Sequence, residues 1–267
     1  RFAPNADIIH IDIDPAEINK NVNVQYPLIG NIKIILKKLI DLTDSREDNE
    51  WTEKIYKWKA TYPVKYRKDN VLRPQYIVER FYELTKGEAI ITTEVGQNQL
   101  WAAQFYKYSR PRQFISSGGL GTMGFGLGAS IGAQIGNPDK KVINIAGDGS
   151  FRMNCNELAT AVEYRLPVIV AILNNRALGM VRQWQNLFYD SRYSSTTIDR
   201  GTNFVALAEA FGAMGINVTK PEEVDDAITR ALASTDRPVL INFEIDKDEK
   251  VFPIVPPGAP ISELIDE

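Results

Sequence analysis

The sequence predicts an α/β fold, a parallel sheet with helices on both faces, preceded by a partial α/β domain remnant. Three observations predict it. From Glu88 onward, short Val/Ile/Leu runs alternate with helix-like segments, the pattern of strands buried on both faces. Two of these runs, Val142 to Ala146 and Pro167 to Leu173, end directly in polar turns, Gly147-Asp148-Gly149-Ser150 and Asn174-Asn175. The first 43 residues hold too little sheet to close a core of their own.

The elements follow in order. Ile8 to Asp14 reads as a strand, and Pro15-Ala16-Glu17 opens a short helix. Tyr26 to Ile29 is a second strand, and Lys33 to Leu42 has helical spacing of Ile34, Ile35, Leu36, Leu39 and Ile40. Thr43 to Asn49 is a polar linker, Trp51 to Ala60 an amphipathic helix, and Tyr62 to Val71 an extended connection. A helix starts at Arg73-Pro74 and runs through Thr85. Strands are then expected at Ala89–Thr93, Gln113–Ser116, Lys141–Ala146, Val168–Leu173, Gly215–Val218 and Pro238–Ile245. Helices are expected at Gln99–Tyr106, Thr122–Ile135, Asn156–Tyr164, from about Gly179, and at Asn203–Phe211 and Pro221–Ala233.

Composition excludes several function classes. The net charge of −3 is small and mixed, with no basic run for nucleic acid or a membrane surface. The longest apolar stretch, Leu166 to Leu173, falls far short of a bilayer span. Cys155 is the only cysteine, which excludes a disulfide and fits a reducing cytoplasm. His10 is the only histidine; it excludes a multi-His metal site and lies in a strand-like run far from the glycine-rich motifs. Arg1 is not a natural start and no signal-like segment follows it, so a C-terminal piece of a longer protein is expected.

In an open parallel sheet, ligands bind beyond the carboxyl ends of the strands, at the switch point. Glu94, Ser117, Asp148 and Asn175 all follow strand ends. If the strands before Asp148 and Asn175 are neighbours, a carboxylate and an amide oxygen face one crevice. Hard oxygen ligands suit Mg²⁺, which completes its shell with water and ligand phosphate. The adjoining glycines let a diphosphate approach the backbone. The bland alternative is a pair of strand-end turns whose side chains cap helices.

The pairing of Gly147-Asp148-Gly149 with Asn174-Asn175, twenty-seven positions from Asp148 to Asn175, resembles the motif of the thiamine diphosphate-binding fold. Further segments narrow the likeness: Glu94-Val95-Gly96-Gln97, Gly118 to Gly124, Gly179 to Gln185, Val251 to Gly258, and Phe2-Ala3-Pro4-Asn5-Ala6 through Ile11 to Pro15. Together they resemble the catalytic subunit of the acetolactate synthase (acetohydroxyacid synthase) family over essentially the whole chain. The layout implied is the end of the central, FAD-associated domain (1–43), a linker with a helix (44–72) and the diphosphate domain (73–267).

The resemblance implies roles for particular residues. Asp148, Asn175 and the Ala177 carbonyl would ligate Mg²⁺, with two diphosphate oxygens and a water completing six. Gly149 and Ser150 would offer N–H and hydroxyl groups to the diphosphate at a helix start. Gln97 and Asn98 would reach the phosphates from the other side, with Val95 and Gly96 beside them. Asn98 stands where many relatives carry His; the alternative reading is a helix cap. Met123 would wedge the cofactor into a bent shape and the Gly121 carbonyl would hold its amino group; a methionine there is otherwise packing. Gly179 and Met180 would also touch the cofactor. Met180, Val181 and Trp184 would line the substrate approach, although a Trp at that spacing is also ordinary core material. Leu187 to Thr197 reads as a mobile lid. Glu157 reads as a structural helix carboxylate rather than an acid/base group.

The implied activity is thiamine diphosphate-dependent decarboxylation of pyruvate and condensation with a second 2-ketoacid, pyruvate or 2-oxobutyrate, in branched-chain amino acid synthesis. The family's activating glutamate comes from a first domain of a partner subunit, so no catalytic residue is assigned within this chain. Asp12, Ile13, Gly30 and Asn31 match positions that touch FAD in relatives, but the rest of that site is absent and no FAD is expected on these residues. A homo-oligomer, dimer or tetramer, is implied, with a small regulatory subunit as a further partner. Two alternatives stay open: another thiamine diphosphate enzyme of 2-ketoacids (oxidase, carboligase or decarboxylase), and a non-catalytic assembly module using the glycine-rich helix.

Overall fold

The computed structural model describes residues 3–198 and 201–266; Phe2, part of the likeness at the start of the chain, lies outside them. The chain divides into two compact units, 1–63 with 258–263, and 64–257 with 264–267.

The first unit holds a two-stranded parallel sheet, β1 (Ile9–Asp12) and β2 (Tyr26–Ile29), with Ile9 opposite Tyr26. Between them, Asp14 caps a 3-10 turn at Pro15–Glu17. Helix α1 (Ile32–Asp41) starts where the Asn31 side chain accepts the Lys33 N–H, and α2 (Glu50–Thr61) opens with a capping box from Asn49 and Thr52. Neither helix buries a residue. Asp12, Ile13, Gly30 and Asn31 all lie in this unit.

The second unit is built on six parallel strands: β3 (Ile90–Thr93), β4 (Phe114–Ile115), β5 (Val142–Gly147), β6 (Ile169–Asn174), β7 (Met214–Val218) and β8 (Val239–Glu244). Their spatial order is β4-β3-β5-β6-β8-β7, every pairing parallel. Alternate residues supply the two faces, as the period of a strand requires. On one face Ile143, Ile145, Ile169, Ala171, Ile241 and Phe243 pack with α3 (Pro74–Leu84), α4 (Gln97–Phe105) and α10 (Val224–Ala233). On the other, Val142, Ala146, Val170, Ile172 and Leu240 pack with α5 (Phe125–Gly136), α7 (Leu158–Glu163) and α9 (Phe204–Phe211). The α/β class and the parallel sheet predicted from the sequence are those observed.

Phe81 and Phe243 join helix to sheet, fully buried with their rings edge to face at 6.2 Å. Phe243→Ala is expected to cost about 3–5 kcal/mol, read by urea unfolding; a change under about 1 kcal/mol would contradict this packing.

Several boundaries differ from the sequence reading. The glycine-rich helix expected from Thr122 starts at Phe125, because Gly124 takes φ +91°, a left-handed conformation that ends the preceding loop. Met123 therefore sits in a loop. The helix expected at Asn156–Tyr164 is a 3-10 turn (Cys155–Glu157) followed by α7. The turn at Asp148–Phe151 is a one-turn helix, α6.

Candidate functional site

Strand order places the site. After β3 the chain crosses to β4 on one side, then returns to β5 on the other. The connections diverge between β3 and β5, which opens a crevice at their carboxyl ends. Residues 95–98 follow β3, 148–150 follow β5, and 175–181 follow β6. All three groups, apart from Arg176, line one cavity of about 230 Å³. Gly147 pairs with Leu173 across β5 and β6, so the Asp148 and Asn175 turns leave neighbouring strands almost in register.

Asp148 is 1% exposed, and neither carboxylate oxygen has a hydrogen-bond partner among the described residues. Burial pushes its carboxyl up to about 6, although the Arg152 guanidinium and the backbone near Gly149 and Asn175 pull the other way. A buried carboxylate without partners is costly unless a cation satisfies it. Asn175 is also buried; its Nδ2 donates to Gln97 Oε1 (3.1 Å) and its Oδ1 accepts the Ala177 N–H (3.1 Å). Ala177 faces Thr197 in an isolated bridge whose bonds run through Arg176 and Leu178, leaving the Ala177 carbonyl out of that ladder. No group of three or more His, Cys, Asp or Glu residues able to hold a metal occurs among the described residues. The available donors are therefore one carboxylate, one amide oxygen and one carbonyl. That set fits Mg²⁺, which keeps waters and phosphate oxygens in its shell, and poorly fits a metal needing an all-protein cage.

The cavity also collects Val95, Gly96, Gln97, Asn98, Met123, Gly149, Ser150, Gly179, Met180 and Val181. Gly121 and Trp184 lie outside its lining. Trp184 is 41% exposed and stacks edge to face on Phe188, at 6.2 Å, within α8 (Gly179–Phe188). Asn98 is not a helix cap: Gly96 occupies that position in α4, and Asn98 Nδ2 donates to the Ile145 carbonyl in β5 (2.9 Å). Glu157 lies outside the cavity and accepts from Thr160 Oγ1 (3.0 Å), a local helix contact. The segment after α8 folds back, with Thr196 Oγ1 donating to Gln185 Oε1 (2.9 Å) and the Thr196 carbonyl accepting the Leu178 N–H (2.8 Å).

Glu94 gains a role that the sequence showed only as its place after a strand. It is fully buried. Its Oε2 accepts from Ser150 Oγ (2.8 Å) and the Gly124 N–H (2.8 Å), and its Oε1 accepts the Leu127 N–H (3.1 Å). Glu94 thus ties the start of α5 to α6. The Ser150 hydroxyl is committed to Glu94, which leaves Ser150 its backbone N–H for a ligand.

Comparison with known proteins agrees with this geometry. The family model described as "Thiamine pyrophosphate enzyme, C-terminal TPP binding domain" matches residues 94–243, and that described as "Thiamine pyrophosphate enzyme, central domain" matches residues 1–39. A probable acetolactate synthase large subunit of Methanococcus aeolicus is 45% identical over 284 residues, covering 99% of this chain and 47% of that protein. The acetolactate synthase large subunit of Haemophilus influenzae is 40% identical over 272 residues, covering 99% and 48%. The acetolactate synthase of Mycobacterium leprae is 43% identical over 275 residues, covering 98% and 44%. The chain spans about half the length of the curated relatives it matches. With a matched binding domain running from Glu94 at the end of β3 to Phe243 in β8, the chain belongs to the thiamine pyrophosphate enzyme family.

Proposed function

We propose that these residues form the cofactor-holding part of an acetolactate synthase catalytic subunit. The observation that carries this reading is the buried, partnerless Asp148 carboxylate at the switch point of the sheet, beside Asn175. Asp148, Asn175 and the Ala177 carbonyl would hold Mg²⁺, and Mg²⁺ would hold the diphosphate of thiamine diphosphate. When bound, the cofactor supplies a carbanion that adds to the carbonyl of a 2-ketoacid. The chain's own residues position and shield it. Backbone N–H groups of Gly149 and Ser150 would hold the diphosphate, Met123 would support the ring system, and Met180 and Val181, which line the same cavity, would exclude water from the approach.

The substrates proposed are pyruvate and a second 2-ketoacid, and the product an acetohydroxyacid. The names of the relatives support this reaction over those of other family members. By the resemblance, the carboxylate that activates the cofactor lies outside these residues, on a partner subunit. These residues alone are therefore expected to bind cofactor without turnover and to carry no FAD. The working assembly proposed is a cytoplasmic homo-oligomer, with a small regulatory subunit as a further partner.

Calorimetric titration of thiamine diphosphate with Mg²⁺ present should show saturable binding, and EDTA should abolish it. Binding that persists in EDTA would refute the metal bridge. Micromolar affinity would correspond to about 8 kcal/mol.

A further inference from the structure

A carboxamide shows a cation either an oxygen or an NH₂ group, according to a half-turn of its end, and only the oxygen binds. In Asn175, Nδ2 is turned to Gln97 Oε1 (3.1 Å), and Oδ1, which accepts the Ala177 N–H, keeps a second lone pair. Gln97 Nε2 donates in turn to Gln183 Oε1 (2.9 Å) and to the Glu249 carbonyl (2.8 Å). Gln183 Nε2 donates to the Val251 carbonyl and Gln183 Oε1 accepts the Val251 N–H, both at 2.9 Å. Gln97, Asn175, Gln183 and Val251 are all buried.

The backbone groups at the far end of this chain of amides have fixed polarity. Turning Gln183 over would set NH₂ against N–H and oxygen against carbonyl oxygen. Turning Gln97 over would set its oxygen against both the Glu249 carbonyl and Gln183 Oε1. Each amide therefore has one workable orientation, and the choice passes from residues 249–251 to Asn175. The source of that polarity is itself clamped. The Glu249 carboxylate accepts from Arg73 Nη1 (2.7 Å) and Gln75 Nε2 (3.1 Å), and Asp248 accepts from Arg182 Nε (2.8 Å). Gly179 makes room for this arrangement: a Cβ there would overlap Gln97 Oε1 and lie 2.5 Å from Asn175 Nδ2.

We infer that Gln97 and Gln183 are positioning residues that transmit the polarity of the Glu249–Val251 backbone to Asn175 and hold its oxygen ready for the cation. The inference rests on the reading of Asp148 and Asn175 as Mg²⁺ ligands. Gln183 touches neither metal nor cofactor in this scheme; it acts through Gln97 and Asn175.

Two substitutions separate this role from packing. Gln183→Met keeps the volume and supplies no comparable hydrogen bond. Gln183→Glu keeps an acceptor for Gln97 Nε2 and the Val251 N–H and, in the protonated form that burial favours, an O–H for the Val251 carbonyl. A packing residue would tolerate Met and suffer from Glu; the relay predicts the reverse order. The first readout is hydrogen exchange of the Asn175 side-chain NH₂, by ¹⁵N NMR without metal or cofactor. It should be slow in the unsubstituted protein and in Gln183→Glu, and at least about tenfold faster in Gln183→Met. The second is Mg²⁺ titration at saturating thiamine diphosphate, where Gln183→Met should lose about 10- to 100-fold in affinity, the usual cost of removing a group that orients a metal ligand. Gln183→Glu should recover most of it. Unprotected Asn175 protons in the unsubstituted protein, or unsubstituted-like exchange and affinity in Gln183→Met, overturns the relay. Should Gln183→Met fail to fold, Gln97→Met, one link nearer the ligand, must show the same fast exchange. Asp148→Ala serves as the control: unchanged Mg²⁺ affinity there removes the metal reading, whereas Asn175 exchange judges the relay independently.

Discussion

Asp148→Asn is expected to make the metal-free protein more stable at neutral pH while removing Mg²⁺-dependent cofactor binding. The sign follows from the raised pKa. In the folded chain the Asp148 carboxyl titrates near 6, against an ordinary value of 3.8. Below about pH 4 the group is protonated in both states and costs nothing. Between about pH 4 and 6 the unfolded chain ionises first, so stability falls as pH rises. Above about pH 6 the full penalty applies, on the order of 3 kcal/mol for a shift of roughly two units. The substitution would remove that pH dependence, with a gain reduced by the buried NH₂ it introduces, to roughly 1–3 kcal/mol. Mg²⁺ competes with the proton for the same oxygens, so affinity should fall about tenfold per pH unit below about 6. Urea melts from about pH 4 to 8, with and without Mg²⁺ and thiamine diphosphate, would check both halves. An Asp148→Asn protein that is less stable than the parent at slightly alkaline pH, or that still binds cofactor through Mg²⁺, would contradict the assignment.

Glu94→Ala should be the most damaging single change near the site that touches no proposed ligand atom. It leaves the Leu127 N–H and the Ser150 hydroxyl without an acceptor, and leaves the Gly124 N–H only its longer contact with Ser150 Oγ (3.3 Å). Each orphaned donor costs about 1–3 kcal/mol, and because they share one acceptor the sum is less than additive. A loss of roughly 3–5 kcal/mol is expected, lowering the melting temperature by about 10 °C or more. Cofactor affinity should fall with it, because Met123 and Ser150 both line the cavity and both adjoin these bonds. Glu94→Gln keeps one acceptor oxygen and should lie between. A melting temperature for Glu94→Ala within about 2 °C of the parent would show that the start of α5 does not depend on this side chain.

The strands that carry the site were legible because their signals are local. Val168 to Leu173 is a continuous apolar run and Val142 to Ala146 one broken only by Asn144, and the turns after them end those runs with Gly, Asp and Asn. The start of α5 was less legible. Gly118, Gly119, Gly121 and Gly124 offer several places where the chain could turn left-handed; Gly121 and Gly124 both do, and the bond from the Gly124 N–H to Glu94 marks which of them precedes the helix. The helix-cap alternative for Asn98 could not be set aside locally, because the partner of its amide, the Ile145 carbonyl, lies in a strand far along the chain. Nothing local in Gly179 to Gln185 distinguishes Gln183, a buried positioning group, from Trp184, which faces partly into solvent.

By itself the sequence determined an α/β parallel sheet, the residues at the ends of its strands, and a resemblance strong enough to name a coenzyme. Only the tertiary structure decided which of those residues share a cavity, that Asp148 is buried without a partner, and that Glu94 and Gln183 hold their neighbours in place. The physical reason is range. Strand period and turn chemistry act over a few residues, but a buried polar group must find its partner wherever strand order brings one. For Gln97 those partners lie 78, 86 and 152 positions away.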